Sequence, residues 1–168
     1  MPARSALIVR EASASDVVPL ADILNAIIEA GGTTAMEAPL DAAAFAEHFL
    51  DGPDVLSCVV AVDPADGEPV GFQALMRYAG LPEAWVDIAT FARMTRKRPG
   101  VGTALFAATK ATARNLGLVA INAAIRADNR AGLAFYEKMG FRTYETLRQV
   151  PLQDGTPVDR ILKRYDVG

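Results

Sequence analysis

The chain has 168 residues, of which 51 % are apolar and 22 % charged, and a net charge of −3. That length suits one domain with a full core, and that balance excludes both disorder and a broad nucleic-acid footprint. No apolar run approaches the roughly 18 residues of a membrane helix, and the opening Met1-Pro2-Ala3-Arg4-Ser5 lacks the apolar region of a secretion signal. A cytoplasmic protein with no membrane or nucleic-acid partner is therefore expected. The single cysteine, Cys58, allows no internal disulfide and no cysteine metal cluster, and its apolar surroundings read as a buried inert thiol. The one histidine, His48, gives a histidine metal cluster or a Ser-His-Asp triad little support and reads as a helix-surface residue. No metal is expected.

Ala6 to Glu11 reads as a first strand. Ser13 to Asp16 offers capping chemistry for a helix to about Ala30, with Val17, Leu20, Ile23, Leu24, Ile27 and Ile28 on its core face. Gly31-Gly32 ends it, a loop follows through Thr33, Thr34, Met36 and Pro39, and a short helix spans about Asp41 to Leu50. Three strand-like runs come next: Val55 to Asp63, Val70 to Tyr78 and Ala84 to Ala92. A helix from Gly100 to about Leu116 turns Val101, Leu105, Phe106, Thr109, Thr112, Ala113 and Leu116 inward, with Gly117 as its cap. Leu118 to Ile125 is a strand, Asn129 to Met139 a helix, Phe141 to Gln149 a strand, and Val158 to Tyr165 a last strand after Asp154-Gly155. The order β-α-α-β-β-β-α-β-α-β-β implies one α/β domain, residues 1–168, with a mixed sheet and helices on both faces.

Chemistry concentrates between the third of those strand runs and the long helix after it. Arg93, Arg96, Lys97 and Arg98 crowd into six residues just before Pro99-Gly100-Val101-Gly102-Thr103. A glycine turn that leaves a strand and opens a helix points main-chain amides at an anion, and the cations would neutralise phosphate. A Walker loop needs its lysine after the second glycine, and Lys97 lies before the first. A dinucleotide fingerprint needs a third glycine, where Thr103, Ala104 and Leu105 stand. Alone, this turn is equally well a plain strand-to-helix connection. A second cluster, Asp128-Asn129-Arg130-Ala131-Gly132-Leu133-Ala134-Phe135-Tyr136-Glu137-Lys138-Met139-Gly140-Phe141, reads as a capped helix with an aromatic core face.

Together, K-R-P-G-V-G-T-A-L and D-N-R-A-G-L-A-F-Y-E-K-M-G-F resemble the pyrophosphate loop and following helix of the GNAT superfamily of acyl-coenzyme A N-acyltransferases. The resemblance covers nearly the whole chain. It implies a single-domain, mostly antiparallel mixed sheet flanked by helices, and acetyl-CoA as co-substrate. Lys97, Arg98, Gly100, Val101, Gly102, Thr103 and Asn129 fall on its cofactor-binding positions, and main-chain amides near Phe91 and Ala92 on those that hold pantetheine and thioester. Lys97 stands where the pattern prefers Gln or Arg, and Pro99 removes one amide beside the turn. Tyr136 resembles the tyrosine proposed to protonate the leaving thiolate; its plain reading is a buried aromatic with a satisfied hydroxyl. Asp87, 13 residues before Gly100, is an acid within an apolar strand near where relatives carry a glutamate. It reads as a base whose pKa burial raises, or as a substrate-orienting carboxylate.

The acceptor implied is the primary amine of a small molecule. Ile23 to Pro39 resembles, more faintly, the phosphinothricin or methionine sulfoximine acetyltransferase subgroup, which acetylates amino-acid analogues; Tyr136 departs from the histidine frequent there. Glu37, Asp41 and Arg77 are its candidate polar contacts, each also readable as a surface charge. Other outcomes compatible with the sequence are a non-catalytic acyl-CoA sensor and a protein N-acetyltransferase. Many relatives dimerise through their C-terminal strands, so a homodimer is an expectation of the resemblance.

Overall fold

In a computed structural model, which describes residues 3–168, the apolar runs become β1 (Ile8–Glu11), β2 (Val55–Val62), β3 (Pro69–Met76), β4 (Trp85–Ala92), β5 (Ala120–Arg126), β6 (Arg142–Pro151) and β7 (Pro157–Asp166). The helical segments become α1 (Val17–Ala30), α2 (Ala42–Phe49), α3 (Val101–Asn115) and α4 (Arg130–Lys138). The order is the predicted one, and element ends move only as terminal turns do. One inward residue is misplaced. Leu116 is 50 % exposed, because α3 stops at Asn115 and the chain reverses through Gly117 at φ 69°.

All seven strands share one sheet in the order β1-β2-β3-β4-β5-β7-β6. Every neighbouring pair is antiparallel except β4–β5. Strand alternation distributes β2 between two cores. Val60 and Val62 face α1 and α2, where Leu20, Leu24, Phe45, Phe49 and Phe72 are buried. Val59 and Ala61 face α3, against Val101 and Leu105. Helices therefore cover both faces, as the element order implies. Asp16 fixes the start of α1 by accepting from the Ser13 amide at 2.8 Å and pairing with Arg10, which holds its carboxyl below the usual range.

The feature that positions the site is a split in the sheet. β4 and β5 pair only from Trp85↔Ala120 to Asp87↔Asn122. Beyond that rung β4 stays with β3 as far as Ala92↔Gly71, while β5 follows β7 to Arg126↔Arg160. The second half of β4 thus leaves one edge without a β5 partner, and a row of main-chain groups is free there to meet something else.

Candidate active site

Asp87 sits on the last rung before the split. Its Oδ1 accepts from Asn122 Nδ2 at 2.9 Å, and the Asn122 carbonyl oxygen in turn accepts from the Tyr144 hydroxyl of β6. Burial pushes the Asp87 carboxyl up to about 6, against the opposing pull of the Asn122 bond and the Ile88 amide. Asp87 also lines a cavity of about 570 Å³, with Leu40, Ala44, Glu47, His48, Asp54, Met76, Arg77 and Tyr78 among its walls. His48 is exposed on α2, as expected of a surface residue, yet it borders this cavity.

Three residues further along β4, Thr90 meets α4. Its Oγ1 lies 2.8 Å from the Tyr136 hydroxyl and accepts from Gln73 Nε2 at 2.9 Å. Tyr136 is buried, and its phenol is held above the ordinary range by desolvation and by the charge of Asp87, with Thr90 acting in the opposite direction. A carboxyl raised toward neutrality thus opens on the larger cavity, and three residues along the same strand a buried phenol meets Thr90.

At the end of β4 the chain enters the basic turn. Ala92, Arg93, Met94, Lys97, Arg98 and Val101 line a second cavity of about 240 Å³. Gly100 caps α3 at φ 81°, a left-handed conformation that glycine adopts without strain. Gly102 is required for another reason: a Cβ there would lie 2.5 Å from the ring of Phe135 on α4. Gly100 thus turns the chain into α3, Gly102 lets α4 pack against the helix start, and Val101 between them lines the hollow.

Not every residue of the predicted cofactor set is free for that role. Arg98 pairs with Asp63 at 2.8 Å and donates to the Ser5 carbonyl at 2.7 Å, so it fastens the loop to the sheet. Asn129 spends its amide on structure. Its Oδ1 accepts from the Gly132 amide to cap α4, and its Nδ2 donates to the Thr33 carbonyl. Arg93 donates its amide to the Val70 carbonyl, so alternation turns the Phe91 amide into the β3 ladder and leaves the Ala92 amide facing the split. Lys97 is exposed beside the smaller cavity, and Gly100 to Thr103 keep the helix-start amides.

The acceptor-side residues divide similarly. Arg77 lines the larger cavity, whereas Glu37 accepts from the Gln153 amide and Asp41 caps α2 by accepting from Ala44. Asn25 holds the intervening loop by bonding both the amide and the carbonyl of Leu40. Cys58 is buried with its thiol pushed up to about 12, as expected of an inert core cysteine.

The acetyltransferase (GNAT) family model matches residues 20–141. The chain belongs to that family. This makes it an acyltransferase by descent, and the glycine turn and the Tyr136 helix both lie within the match. Among solved structures it is similar to an N-acetyltransferase from Staphylococcus aureus Mu50, at 17 % identity over 98 % of this chain and 100 % of that one, with a TM-score of 0.83. A GCN5-related N-acetyltransferase from Kribbella flavida is 24 % identical over 96 % and 98 %, with a TM-score of 0.81. A phosphinothricin acetyltransferase from Sinorhizobium meliloti, solved with AcCoA, is 19 % identical over 98 % and 90 %, with a TM-score of 0.83. The comparison with curated proteins gives no match.

Three participants escape a reading of the sequence. Gln73, Thr90 and Asn122 are uncharged residues inside apolar strands, where only strand pairing reveals that they meet Tyr136 and Asp87. Arg93 belongs to the basic run. What distinguishes it is a buried Nε with no partner among the described residues, at the wall of the smaller cavity.

Proposed function

We propose that this GNAT-family protein transfers the acetyl group of acetyl-CoA directly to the primary amine of a small molecule, an amino acid or close analogue being the class favoured. The observation that carries the reading is the course of β4. Asp87 near its start opens on the larger cavity, Ala92 at its end opens on the smaller, and Tyr136 reaches Thr90 between them. Five residues of strand span roughly 16 Å. An extended pantetheine arm along the unpaired edge would set its thioester between the phosphate-sized hollow and the acceptor cavity.

In this reading Lys97, Arg93 and the amides from Gly100 to Thr103 hold the pyrophosphate, the Ala92 amide holds the pantetheine arm, and main-chain amides farther back along the unpaired edge of β4 polarise the thioester carbonyl. An alkyl amine of ordinary pKa, about 10.4, arrives largely protonated at neutral pH. Its proton becomes far more acidic as the nitrogen bonds to the carbonyl carbon. Asp87, ionised above a pH of about 6, accepts it. The C–S bond then breaks, the sulfur keeps the electron pair, and Tyr136 supplies its proton. Arg77 at the cavity wall matches a carboxylate on the acceptor, and Glu47 and Asp54 suit a cationic amine. A reduced lone cysteine and dependence on acetyl-CoA fit a cytoplasmic setting.

Coenzyme A release measured over amino acids, polyamines and aminoglycosides tests the proposal. Turnover on a small primary amine, lost in Asp87→Asn and cut in Tyr136→Phe, is the expected result. Binding of acetyl-CoA with no turnover on any acceptor would instead mean a sensor module.

A further inference from the structure

Gln73 is fully buried in β3, directly across from Thr90 in the β3–β4 register. Its Nε2 donates to Thr90 Oγ1, while its Oε1 is buried without a partner among the described residues. An amide half-satisfied in an apolar interior is costly, and Leu or Met would fill the same volume without that cost. What the amide adds is one N–H aimed at Thr90.

That N–H fixes a direction. An amide nitrogen only donates, so Thr90 Oγ1 is the acceptor of this bond. The remaining side-chain neighbour of the Thr90 hydroxyl is Tyr136 Oη at 2.8 Å. If Tyr136 donated inward, Thr90 would accept two protons and its own would have no side-chain partner among the described residues. If the amide were turned over, its Oε1 would take the Thr90 proton and draw the Tyr136 proton into the core. The observed orientation does the opposite.

We infer that Gln73 and Thr90 are positioning residues that orient the hydroxyl of Tyr136. Gln73 donates to Thr90, Thr90 donates to the Tyr136 oxygen, and the phenolic proton is left facing the departing sulfur. The inference rests on the general-acid reading of Tyr136. In the step itself the C–S bond breaks with its electron pair on sulfur, an S–H bond forms, and the Tyr136 O–H bond breaks. The phenolate left behind accepts the Thr90 hydrogen bond, then regains a proton from solvent. Burial and the neighbouring Asp87 both disfavour that phenolate, so a donor from Thr90 eases the step where the local field resists it.

Rates read as coenzyme A release test this, both with the fastest amine of the acceptor panel and as slower acetyl-CoA hydrolysis without it; each expels the same thiolate. Thr90→Val keeps the shape without the hydroxyl and should lower kcat about tenfold, the worth of one hydrogen bond, with the KM for acetyl-CoA within about twofold. Thr90→Ser should restore the rate. Gln73→Met should lower kcat by a smaller factor, about threefold, because Thr90 keeps its proton but loses its bias. In a Tyr136→Phe background none of these changes should cost anything further. A full rate in Thr90→Val beside a depressed Tyr136→Phe would overturn the inference, as would losses that multiply in the double variant. An undiminished Tyr136→Phe would instead remove the acid itself. Should Thr90→Val fail to fold, Gln73→Met alone and combined with Tyr136→Phe carries the same cycle.

Discussion

Asn122 donates to Asp87 across the last paired rung between β4 and β5, at 2.9 Å, where the two strands begin to part. The bond joins two functions in one place. It closes the sheet at the point where the split opens, and it stabilises the ionised form of a carboxyl that burial pushes toward neutrality. Tyr144 donates to the other end of the Asn122 amide, which keeps its NH₂ group turned to Asp87.

The pH dependence of kcat/KM should therefore rise through an apparent pKa of about 6, the value at which Asp87 becomes able to accept a proton. Asn122→Ala removes the donor that favours the carboxylate, so the limb should move to higher pH by on the order of one unit. Tyr144→Phe, which loosens the amide without removing it, should move it less in the same direction. The measurement is a pH profile at constant ionic strength. A limb that stays in place in Asn122→Ala would separate Asp87 from the titration.

Stability should run against activity at Asp87. The folded carboxyl binds its proton more tightly than the unfolded one, with a pKa of about 6 against 3.8. Folding is thus favoured while the group is protonated. Stability contributed by this group falls as pH rises from about 4 to 6, and at pH 7 ionised Asp87 costs on the order of 3 kcal/mol. Asp87→Asn should raise the midpoint of thermal unfolding at pH 7, lose most of that gain near pH 4, and abolish turnover. Calorimetry at the two pH values checks the sign.

The basic run should divide by burial. Lys97→Ala and Arg93→Ala remove groups that border the smaller cavity and make no ion pair among the described residues, so each should raise the KM for acetyl-CoA, most strongly at low salt, with little change in unfolding temperature. Arg98→Ala breaks the pair with Asp63 and the tie to Ser5, so its first effect should be a lower unfolding temperature. Parallel salt titrations of KM and thermal melts distinguish the two classes.

This division shows why the sequence exposes the fold more fully than the site. Periodicity places α1, α3 and the succession of elements along the chain, because burial of one face is a local pattern that a linear reading detects. The glycines and Tyr136 stand out because a phosphate turn and an aromatic helix constrain residue type at fixed spacing. Arg98 and Asn129 occupy the same motifs, yet Asp63 and Thr33, far away in sequence, claim their polar atoms. Phe91 and Ala92 are adjacent, and only the β3 register decides which amide faces the split. Gln73, Thr90 and Asn122 carry no local signal at all; their partners are set by strand pairing.

Gly102 offers the sharpest test of the phosphate turn, because two requirements meet at one missing methyl group. A Cβ there would overlap the Phe135 ring at 2.5 Å, and that ring stands beside Tyr136 on α4, with centroids 5.0 Å apart. Gly102→Ala should therefore push α4 away from the start of α3, destabilise the fold by about 1–3 kcal/mol, and depress kcat as well as raise the KM for acetyl-CoA. Gly100→Ala differs in kind. Nothing lies within 4 Å of its added Cβ, and its strain comes only from φ 81°, about 1 kcal/mol. It should raise KM and leave kcat close to normal. Adding Phe135→Leu to Gly102→Ala makes room for the methyl group, so kcat should recover in the double variant. Persistent loss there would show that Gly102 acts through the ligand rather than through the packing of α4.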